Sequence, residues 1–281
     1  MHLRVPIRSD KLAMSVEVSL VASVTTPFQT IDIYDSVAFG RMLLLDGHIQ
    51  LTTLDEKAYH EALVQIPLVN VVLPKRALVV GGGDGGVIRE LCRWPSIEHI
   101  DMVEIDEEVV RVCRKHLAKV SSGAFADPRV HLHVGDAFAF VREATHLYDL
   151  IVVDCTDVYE EDDGGLSEML FTDEFYQDCR SCLSPSGFVI TQADNLLYCP
   201  YSLQGIREAF ERTFSNVGDY WAMVPSFGGF SGYCWASMGP TIASRFDDLL
   251  HLHKLTFEYL SPLTYDMAMR PLPFGSRLIT P

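Results

Sequence analysis

The N-terminal part of the chain alternates between apolar and polar residues with the two-residue period of half-buried β-strands. The segments SVEVSL (15–20) and QTIDIYDS (29–36) both follow this period. In RMLLLDGHIQLTT (41–53), two apolar runs flank Asp46-Gly47, a dipeptide typical of tight hairpin turns. The pattern therefore predicts a small N-terminal antiparallel β-domain, which we place at residues 1–54.

From Asp55 onward the pattern changes, because buried apolar runs now alternate with segments of helical period. Four strands are predicted in a row: a buried strand at RALVV (76–80), followed by strands at HIDMVEID (99–106), VHLHV (130–134) and DLIVVD (149–154). Helices should follow Asp106, Asp173 and Ser202, and later strands should cover 187–192, 217–223 and 232–238. Strands that alternate with helices form parallel sheets. We therefore predict an α/β fold, with a Rossmann-like, methyltransferase-type sheet in residues 55–281.

A glycine-rich loop, GGGDGG, follows the first strand of this sheet at residues 81–86. Gly81, Gly83 and Gly86 have the GxGxxG spacing of nucleotide-binding loops, in which glycine lets the backbone approach the ligand. Glu104 ends the next strand about twenty residues further on, where a carboxylate holds a ribose diol. Dinucleotides and S-adenosyl compounds both use this layout, and we expect one of them here.

Asp84, inside the glycine loop, distinguishes between these two ligand classes. A dinucleotide would place its pyrophosphate against the loop and the N-terminus of the following helix. Two like charges about 4 Å apart cost about 4 kcal/mol at an effective dielectric constant of about 20. A carboxylate at this position therefore favours a ligand with positive charge near the loop, unless Asp84 caps the helix and points away.

Acidic residues also end the third and fourth strands of the predicted sheet. Asp136 follows the third strand, as a turn residue or as a partner for an adenine amino group. Asp154 ends the fourth strand, and Asp157 follows at the rim of the sheet. An amine must lose a proton before it attacks, and a carboxylate held against it accepts that proton. This pair predicts an amine-binding site, and a loop of solvated acids is the alternative.

The overall charge also favours a cationic ligand. The chain has 281 residues, a net charge of −16 and no dense run of Lys or Arg. Because nucleic acids and anionic membranes bind clustered positive charge, we expect neither as a partner. No apolar run approaches the roughly 18 residues of a membrane span. The N-terminus shows no clean signal-peptide pattern, and we expect a cytoplasmic enzyme.

The cysteine and histidine patterns do not favour a metal site. The seven cysteines are scattered and odd in number, as expected for reduced thiols. Cys179 and Cys182 form one CxxC, but they share a helix face with Phe175, which favours positions in the core. His131 and His133 lie on one strand without a third ligand nearby in the sequence. We therefore predict no bound metal.

Taken together, several of these segments resemble the spermidine synthase family, the polyamine aminopropyltransferases. The resemblance runs from about residue 27 to the end of the chain. Its motifs are FQTIDIYDS, FGRMLLLDGHIQLTTLDEKAYHE, LVVGGGDGGVIRE, MVEIDEEVV, DPRVHLHVGDAFAF, YDLIVVDCTD and PSFGGFSGYCWAS. It implies that decarboxylated S-adenosylmethionine (S-adenosylmethioninamine) donates its aminopropyl group to a primary amine, usually putrescine, to give spermidine and 5′-methylthioadenosine. It also implies a homodimer or homotetramer, and no metal or redox cofactor.

The resemblance further implies roles for individual residues. Asp154 and Tyr59 would be catalytic. The residues that bind the donor would be Gln29, Gly81, Gly83, Asp84, Glu104, Asp136 and Ala137. Those that bind the acceptor amine would be His60, Asp157 and Gln192. Asp84 would hold the ammonium that decarboxylation leaves at the end of the donor, where ordinary methyltransferases must hold a carboxylate.

Two departures from the family pattern concern the ligand pocket. Many relatives have a Gly-Pro-Ala adenine contact after the aspartate pair, whereas this chain continues with VYEEDDGGLSEMLF (158–171). A tyrosine often found in the late motif is Phe227 here, which removes one hydroxyl from the amine pocket. The acidic segment would suit agmatine or spermidine as the acceptor instead of putrescine, and cadaverine is a further alternative acceptor. Further alternatives are an S-adenosylmethionine methyltransferase and a non-catalytic polyamine-binding relative.

Overall fold

A computed structural model shows two β-sheets and describes residues 1–8, 11–155, 172–246 and 256–272. The first sheet contains five strands in chain order, each antiparallel to its neighbour: β1 (His2–Arg8), β2 (Leu12–Thr25), β3 (Thr30–Ser36), β4 (Gly40–Leu45) and β5 (His48–Thr52). The turn between β4 and β5 has φ values of 47° at Asp46 and 82° at Gly47, as a tight hairpin turn requires. Strand β1 escaped the periodicity analysis, because Pro6 interrupts it and only Val5 is fully buried.

The second sheet has the predicted α/β arrangement and adds a C-terminal hairpin. Its strands are β6 (Arg76–Gly81), β7 (His99–Glu104), β8 (Val130–Val134), β9 (Tyr148–Asp154), β10 (Leu183–Asn195), β11 (Asn216–Val224) and β12 (Gly229–Ser237). Their order is β11-β12-β10-β9-β6-β7-β8, with β6 to β10 parallel and β12 antiparallel to both of its neighbours. The strand order reverses beside β6, which creates a crevice for ligands at the carboxyl ends of the strands.

Helices cover both faces of the second sheet. They are α1 (Glu56–Leu68), α2 (Gly86–Cys92), α3 (Glu107–His116), α4 (Ala118–Ser121), α5 (Ala137–Arg142), α6 (Asp173–Ser181), α7 (Pro200–Thr213) and α8 (Pro262–Ala268). Alternate strand residues face two cores, one shared with α1 and α2 and the other with α5, α6 and α7. Cys179 and Cys182 are both buried in the second of these cores, as their spacing predicts.

Helix α1 is the long helix that the periodicity analysis missed. Twelve of its thirteen residues are buried, so it has no polar face to mark a helical period. It packs on β9, β10, β11 and β12, and its first turns lie beneath the carboxyl ends of the parallel strands. Glu61 in this helix accepts hydrogen bonds of 2.8–2.9 Å from three backbone N–H groups, which fixes the segment 258–260 on the same face.

The first sheet packs against α3 of the second unit. Ile31, Ile33, Leu43 and Leu51 share a core with one face of that helix, including Val109. This packing brings the turn before β3 to the end of β7, so residues from both sheets meet at the crevice.

Candidate active site

A cavity of about 670 Å³ opens at the carboxyl ends of the parallel strands, a volume typical of small-molecule sites. Most of the predicted site residues line it: Gln29, Tyr59, Gly81, Gly83, Asp84, Glu104, Asp136, Ala137, Asp154 and Gln192. His60 is buried beneath the wall rather than exposed in it. Asp157 lies outside the residues that the structure describes. The geometry thus brings residues from distant parts of the sequence into one cavity.

The cavity is lined by acids. Six carboxylates contribute to its wall, those of Asp46, Asp84, Glu104, Asp136, Asp154 and Asp194. No Lys or Arg occurs among the lining residues within the described part of the chain. Such a lining attracts organic cations and offers no counter-charge to a pyrophosphate or a carboxylate.

The glycine loop between β6 and α2 is packed tightly against its neighbours. A β-carbon on Gly83 would come within 2.8 Å of Glu104 Oε2 and 2.7 Å of Val109 Cγ1. A β-carbon on Gly86 would collide with the imidazole ring of His60. These two glycines are therefore required by the packing of the chain itself, in addition to any approach of a ligand.

Glu104 is buried at the end of β7, beside the loop that carries Gln29. Burial raises the pKa of Glu104 to about 7, although the backbone N–H of Asp106, 3.0 Å from Oε1, opposes the shift. Gln29 Nε2 donates to Asp106 Oδ2 at 3.1 Å, and Thr26 Oγ1 donates to the same oxygen at 2.7 Å. Asp106 therefore holds the first sheet against the end of β7.

Asp84 and Asp136 accept hydrogen bonds from nearby backbone and also line the cavity. Asp136 Oδ1 accepts from the N–H of Phe138 at 2.8 Å and caps α5. Asp84 Oδ1 accepts from the N–H of Gly86 at 2.6 Å. The two alternatives that the sequence left open, a local cap and a ligand contact, are therefore compatible in both residues.

Asp154 lies at the end of β9, where Tyr59 Oη donates a hydrogen bond of 2.6 Å to its Oδ1. Burial raises the pKa of Asp154 to about 6, and the Asp84 carboxylate acts in the same direction. The charge of His60 and the Tyr59 hydrogen bond oppose this shift. A carboxyl with this pKa is ionised at neutral pH and still basic enough to accept a proton, which suits a general base.

His60 forms a buried cation beneath Asp84. Its Nδ1 donates to Glu56 Oε2 at 2.8 Å, and its Nε2 lies 3.3 Å from Asp84 Oδ1. Burial alone would lower the pKa of His60, but the Asp84 and Glu56 carboxylates raise it to about 10. Ligand atoms of His60, Asp84 and Asp154 lie within 4.8 Å of one another, close enough for a shared cation. While His60 carries its proton, the imidazole offers no lone pair to a metal, and the two aspartates beside it suit an organic cation.

Gln192 and Asp194 form the wall at the end of β10. Gln192 Nε2 donates to the carbonyl of Cys155 at 3.1 Å, and its Oε1 accepts from the N–H of Asp194 at 2.9 Å. Asp194 has a φ of 56°, and burial raises its pKa. The sequence analysis missed this acid, although its place at the end of a parallel strand is a signal that could have found it.

Phe227 closes the same end of the cavity. Its ring packs edge-to-face on Tyr59, with 5.5 Å between the ring centroids. The preceding residue, Ser226, is fixed by Asp55, whose carboxylate accepts from Ser226 N at 2.8 Å and from Ser226 Oγ at 2.9 Å. Pro6 and Ile7 of β1 complete the lining here. The sequence analysis expected Phe227 in the amine pocket, but it did not foresee the contacts with Tyr59, Asp55 and β1.

A parallel sheet whose strand order reverses, with a glycine loop after β6 and an acid at the end of β7, defines a nucleotide-binding α/β protein, and the acidic lining of its cavity favours a cationic ligand such as an S-adenosyl compound. The family model described as "Spermine/spermidine synthase domain" matches residues 56–244. A second model, "Spermidine synthase tetramerisation domain", matches residues 7–53. The chain therefore belongs to the spermine/spermidine synthase family.

Individual proteins that are similar to this chain in sequence or structure carry names of the same family. The chain is similar to the polyamine aminopropyltransferase of Sodalis glossinidius, with 38% identity over 233 residues that cover 80% of this chain and 79% of the relative. The corresponding protein of Synechococcus sp. is 41% identical over 222 residues, which cover 76% of this chain and 70% of the relative. A spermidine synthase crystallised with the transition-state analogue AdoDATO superposes with a TM-score of 0.91 and 25% identity over 99% of this chain and 94% of that one. The spermidine synthase of Thermotoga maritima shares the fold, with a TM-score of 0.88, 24% identity and the same coverage.

These comparisons confirm the predicted family and fold class. The protein is an enzyme, an aminopropyltransferase of polyamine biosynthesis, and this class of enzyme uses decarboxylated S-adenosylmethionine as co-substrate. The match to a tetramerisation domain indicates a homo-oligomer. Within the described ranges, none of the helices is long and apolar enough to cross a membrane.

Proposed function

We propose that this enzyme transfers the aminopropyl group of decarboxylated S-adenosylmethionine to putrescine, forming spermidine and 5′-methylthioadenosine. The observation that carries the proposal is the set of six acidic residues that line a cavity whose described lining contains no Lys or Arg. An ammonium group finds partners there, whereas the α-carboxylate of ordinary S-adenosylmethionine would meet only like charge. The same observation argues against methyl transfer.

The donor would lie along the glycine loop, with its nucleoside toward β7 and β8. Glu104 and Gln29 would hold the ribose, and Asp136 with Ala137 would contact the adenine. Gly81 and Gly83 would let the backbone approach the ligand. At the other end of the donor, Asp84 would bind the aminopropyl ammonium.

The reacting amine would stand against Asp154, whose carboxylate Tyr59 holds in place. The amine gives its proton to Asp154, and its nitrogen attacks the carbon next to the sulfonium. A carbon–nitrogen bond forms while the carbon–sulfur bond breaks, and the bonding electrons stay on sulfur as a neutral thioether. Because the sulfonium charge disappears in the transition state, the enzyme accelerates the step mainly by alignment and proton removal.

The far end of the acceptor would reach Gln192 and Asp194. Asp194 would pair with a second cationic group on the acceptor, which supports putrescine and other polycationic amines over a monoamine. Asp157 is also proposed to bind the acceptor, by family resemblance, although it lies outside the described residues. His60 is too deeply buried for the direct acceptor contact that we predicted, so we reassign it to the support of Asp84. Agmatine, cadaverine and spermidine remain the alternative acceptors.

We further propose that residues 1–54 form the oligomerisation domain and residues 55–281 the catalytic domain of a homodimer or homotetramer. Light scattering on the purified protein distinguishes the two assemblies. Deletion of residues 1–54 should yield smaller assemblies, and an unchanged mass would contradict this division.

The function is tested by incubating the purified enzyme with decarboxylated S-adenosylmethionine and each of four amines: putrescine, agmatine, cadaverine and spermidine. Mass spectrometry should detect 5′-methylthioadenosine and the aminopropylated amine, with the highest kcat/KM for putrescine. A higher kcat/KM for another amine would overturn the acceptor but not the reaction. Absence of 5′-methylthioadenosine with every amine would overturn the aminopropyl transfer itself, and a methylated product from ordinary S-adenosylmethionine would indicate a methyltransferase.

A further inference from the structure

We infer that Glu56 and Arg89 are positioning residues for the donor, because through His60 they hold the Asp84 carboxylate in the orientation that receives the donor's ammonium. Both residues are buried, and neither lines the cavity. The inference rests on the proposed function, since it takes Asp84 as the partner of the aminopropyl ammonium.

Four side chains form a continuous row from α2 to the cavity. Arg89 Nη1 and Nη2 donate to Glu56 Oε1 and Oε2 at 3.1 and 2.9 Å. Glu56 Oε2 accepts from His60 Nδ1 at 2.8 Å, and His60 Nε2 lies 3.3 Å from Asp84 Oδ1. The row ends at Asp84, which is the only one of the four in the cavity wall described by the structure.

Arg89 anchors this row at its end farthest from the cavity. Its Nη1 also donates to the carbonyl of Val120 at 2.5 Å, and its Nε donates to Glu90 Oε1 at 2.9 Å. Glu90 is held in turn by Gln65 Nε2 at 2.8 Å. Because its guanidinium is fixed on three sides, Arg89 keeps the Glu56 carboxylate in one plane.

Asp84 is gripped at one oxygen. Its Oδ1 accepts from Gly86 N at 2.6 Å and faces the His60 ring, which fills the space where a side chain at residue 86 would lie. Because both contacts involve Oδ1, the second carboxylate oxygen of Asp84, Oδ2, stays available to a ligand in the cavity. A carboxylate fixed in this way can present one oxygen to an ammonium without first losing rotational freedom, which favours binding.

The alternation of charge explains why a cation can lie beneath a cation-binding site. The imidazolium of His60 alone would repel an ammonium bound at Asp84. Glu56 offsets that charge from the other side, so that the row reads positive, negative, positive, negative up to the cavity. The groups that face the His60 ring are Glu56 on its own helix, Asp84 on the glycine loop and Asp154 at the end of β9. The pKa of Glu56 is about 2, because His60 and Arg89 outweigh its burial, and the pKa of His60 is about 10, so both stay charged near neutral pH.

The decisive variant is Glu56→Gln, which keeps the shape of the side chain and removes its charge. If His60 keeps its proton, an uncompensated positive charge then lies beside the donor's ammonium. If His60 loses its proton, Asp84 faces a nitrogen lone pair and loses its support. Both outcomes weaken donor binding, and we expect the Kd for decarboxylated S-adenosylmethionine to rise about tenfold.

5′-Methylthioadenosine serves as the matched ligand, because it shares the nucleoside and lacks the aminopropyl group. Calorimetry should show that the Kd of methylthioadenosine stays within about twofold in Glu56→Gln, since the substitution weakens only the interaction with the ammonium, which this ligand lacks. NMR of ¹³C-labelled histidine, with the His60 signal assigned from His60→Gln, should show a lower pKa for His60 in Glu56→Gln. The conservative variant Arg89→Lys, which keeps the charge but not the fork, should weaken donor binding by a smaller factor of about threefold.

Glu61→Gln is the matched control, because it removes a buried carboxylate from the same helix as Glu56, and the hydrogen bonds of Glu61 go to the backbone of residues 258–260 rather than to the row. It should leave the Kd values of both ligands within about twofold of the parent protein. Equal losses for donor and methylthioadenosine, equal losses in Glu56→Gln and Glu61→Gln, or tighter donor binding in Glu56→Gln would each overturn the positioning role. If Glu56→Gln does not fold, the same comparison of the Kd for the donor with the Kd for methylthioadenosine is made in Arg89→Lys. The proposed function fails by a different result, namely a parent enzyme that releases no methylthioadenosine from the donor.

Discussion

The donor end and the acceptor end of the cavity are held in place in different ways. At the donor end, each acid accepts a hydrogen bond from the backbone two residues further along, in the pairs Asp84–Gly86, Glu104–Asp106 and Asp136–Phe138. At the acceptor end, the supports come from distant segments: Tyr59 of α1 holds Asp154, and Asp55 holds the turn at Ser226. Local backbone hydrogen bonds therefore contribute at each of these donor-end acids, and the row from Arg89 adds a tertiary support for Asp84, whereas tertiary packing alone holds Asp154 and the turn at Ser226.

This difference indicates what substitutions at each end should do. A change at the donor end should act mainly on affinity, because the neighbouring acids keep their own local supports. A change at the acceptor end should act on turnover or on the choice of amine, because contacts such as Tyr59–Asp154 hold the residues proposed to touch the reacting amine.

The largest effect is expected for Asp154→Asn, which removes the proposed proton acceptor. The value of kcat should fall by a factor of about 10² to 10⁴, while donor affinity stays within about threefold. In the parent enzyme the pKa of Asp154 is raised to about 6, so the rate should decline as pH falls through about 6, when the carboxylate becomes protonated. The remaining activity of the variant should lack this decline. Steady-state kinetics from pH 5 to 9 measure both quantities.

Asp46→Asn is a suitable control for that experiment. Asp46 lines the same cavity from the hairpin turn of the first sheet, and asparagine tolerates its positive φ. A general response to the loss of one cavity carboxylate would lower kcat equally in both variants. A fall of less than about tenfold in Asp154→Asn would contradict general-base catalysis by this residue.

Glu104→Gln should have two opposite effects at the donor end: it should stabilise the unliganded protein and weaken the binding of methylthioadenosine. The native pKa of Glu104 is about 7, above its ordinary value of 4.5, because burial disfavours its charge. The native state therefore holds this proton where the unfolded chain has lost it, and the free energy of unfolding decreases as pH rises from about 4.5 to about 7. At pH 8 the unliganded variant should be more stable by up to about 3 kcal/mol, following about 1.4 kcal/mol per pKa unit.

The same variant should bind methylthioadenosine about tenfold more weakly, since a neutral amide accepts more weakly from the ribose hydroxyls than a carboxylate does. Thermal unfolding at pH 5 and pH 8 and calorimetry with methylthioadenosine provide the two measurements. A stability gain that is equal at both pH values would show that the charge of Glu104 is not its cause. Unchanged affinity would remove Glu104 from the proposed ribose site.

The two ends of the cavity were also unequally predictable from the sequence. Asp84, Glu104 and Asp136 could be proposed as ligands because each follows a short apolar strand, and strand ends meet at one edge of a parallel sheet. The backbone hydrogen bonds that support them are local and need no knowledge of the rest of the fold, whereas the row beneath Asp84 depends on the tertiary structure. Asp154 was found for the same reason, but its partner Tyr59 came only from family resemblance.

The acceptor end was predicted less completely for physical reasons. Strand β10 continues to Asn195, beyond the expected end at 192, so Asp194 did not stand out as a strand-end acid. Helix α1 is buried on nearly all sides and gives no amphipathic pattern, in contrast to α3, whose polar face and Asp106 cap marked it clearly. The contact between Asp55 and Ser226 joins residues 171 positions apart, and no local pattern encodes it.

Asp194→Asn tests whether this missed acid belongs to the acceptor site. The KM for putrescine should rise about tenfold, because a buried ammonium would lose its counter-charge, whereas the KM for the donor should stay the same. Asparagine also tolerates the φ of 56° at this position, which keeps the backbone intact. Butylamine, which lacks the second ammonium, is the matched substrate, and its KM should not respond. Equal increases for both amines would place Asp194 in a structural role.

The smallest effect is expected for Phe227→Tyr, which adds one hydroxyl to the acceptor end without moving the ring from Tyr59. The edge-to-face contact of the two rings, at 5.5 Å, involves the aromatic faces and edges rather than the new group. A hydroxyl that reaches the bound amine would contribute about 0.5–1 kcal/mol, which lowers the KM for putrescine by about two- to fivefold. The donor KM and kcat should remain within about twofold, since neither the glycine loop nor Asp154 is touched. If instead kcat falls and the putrescine KM does not, Phe227 serves to position Tyr59 against Asp154, and the acceptor end is tuned through packing rather than through hydrogen bonds.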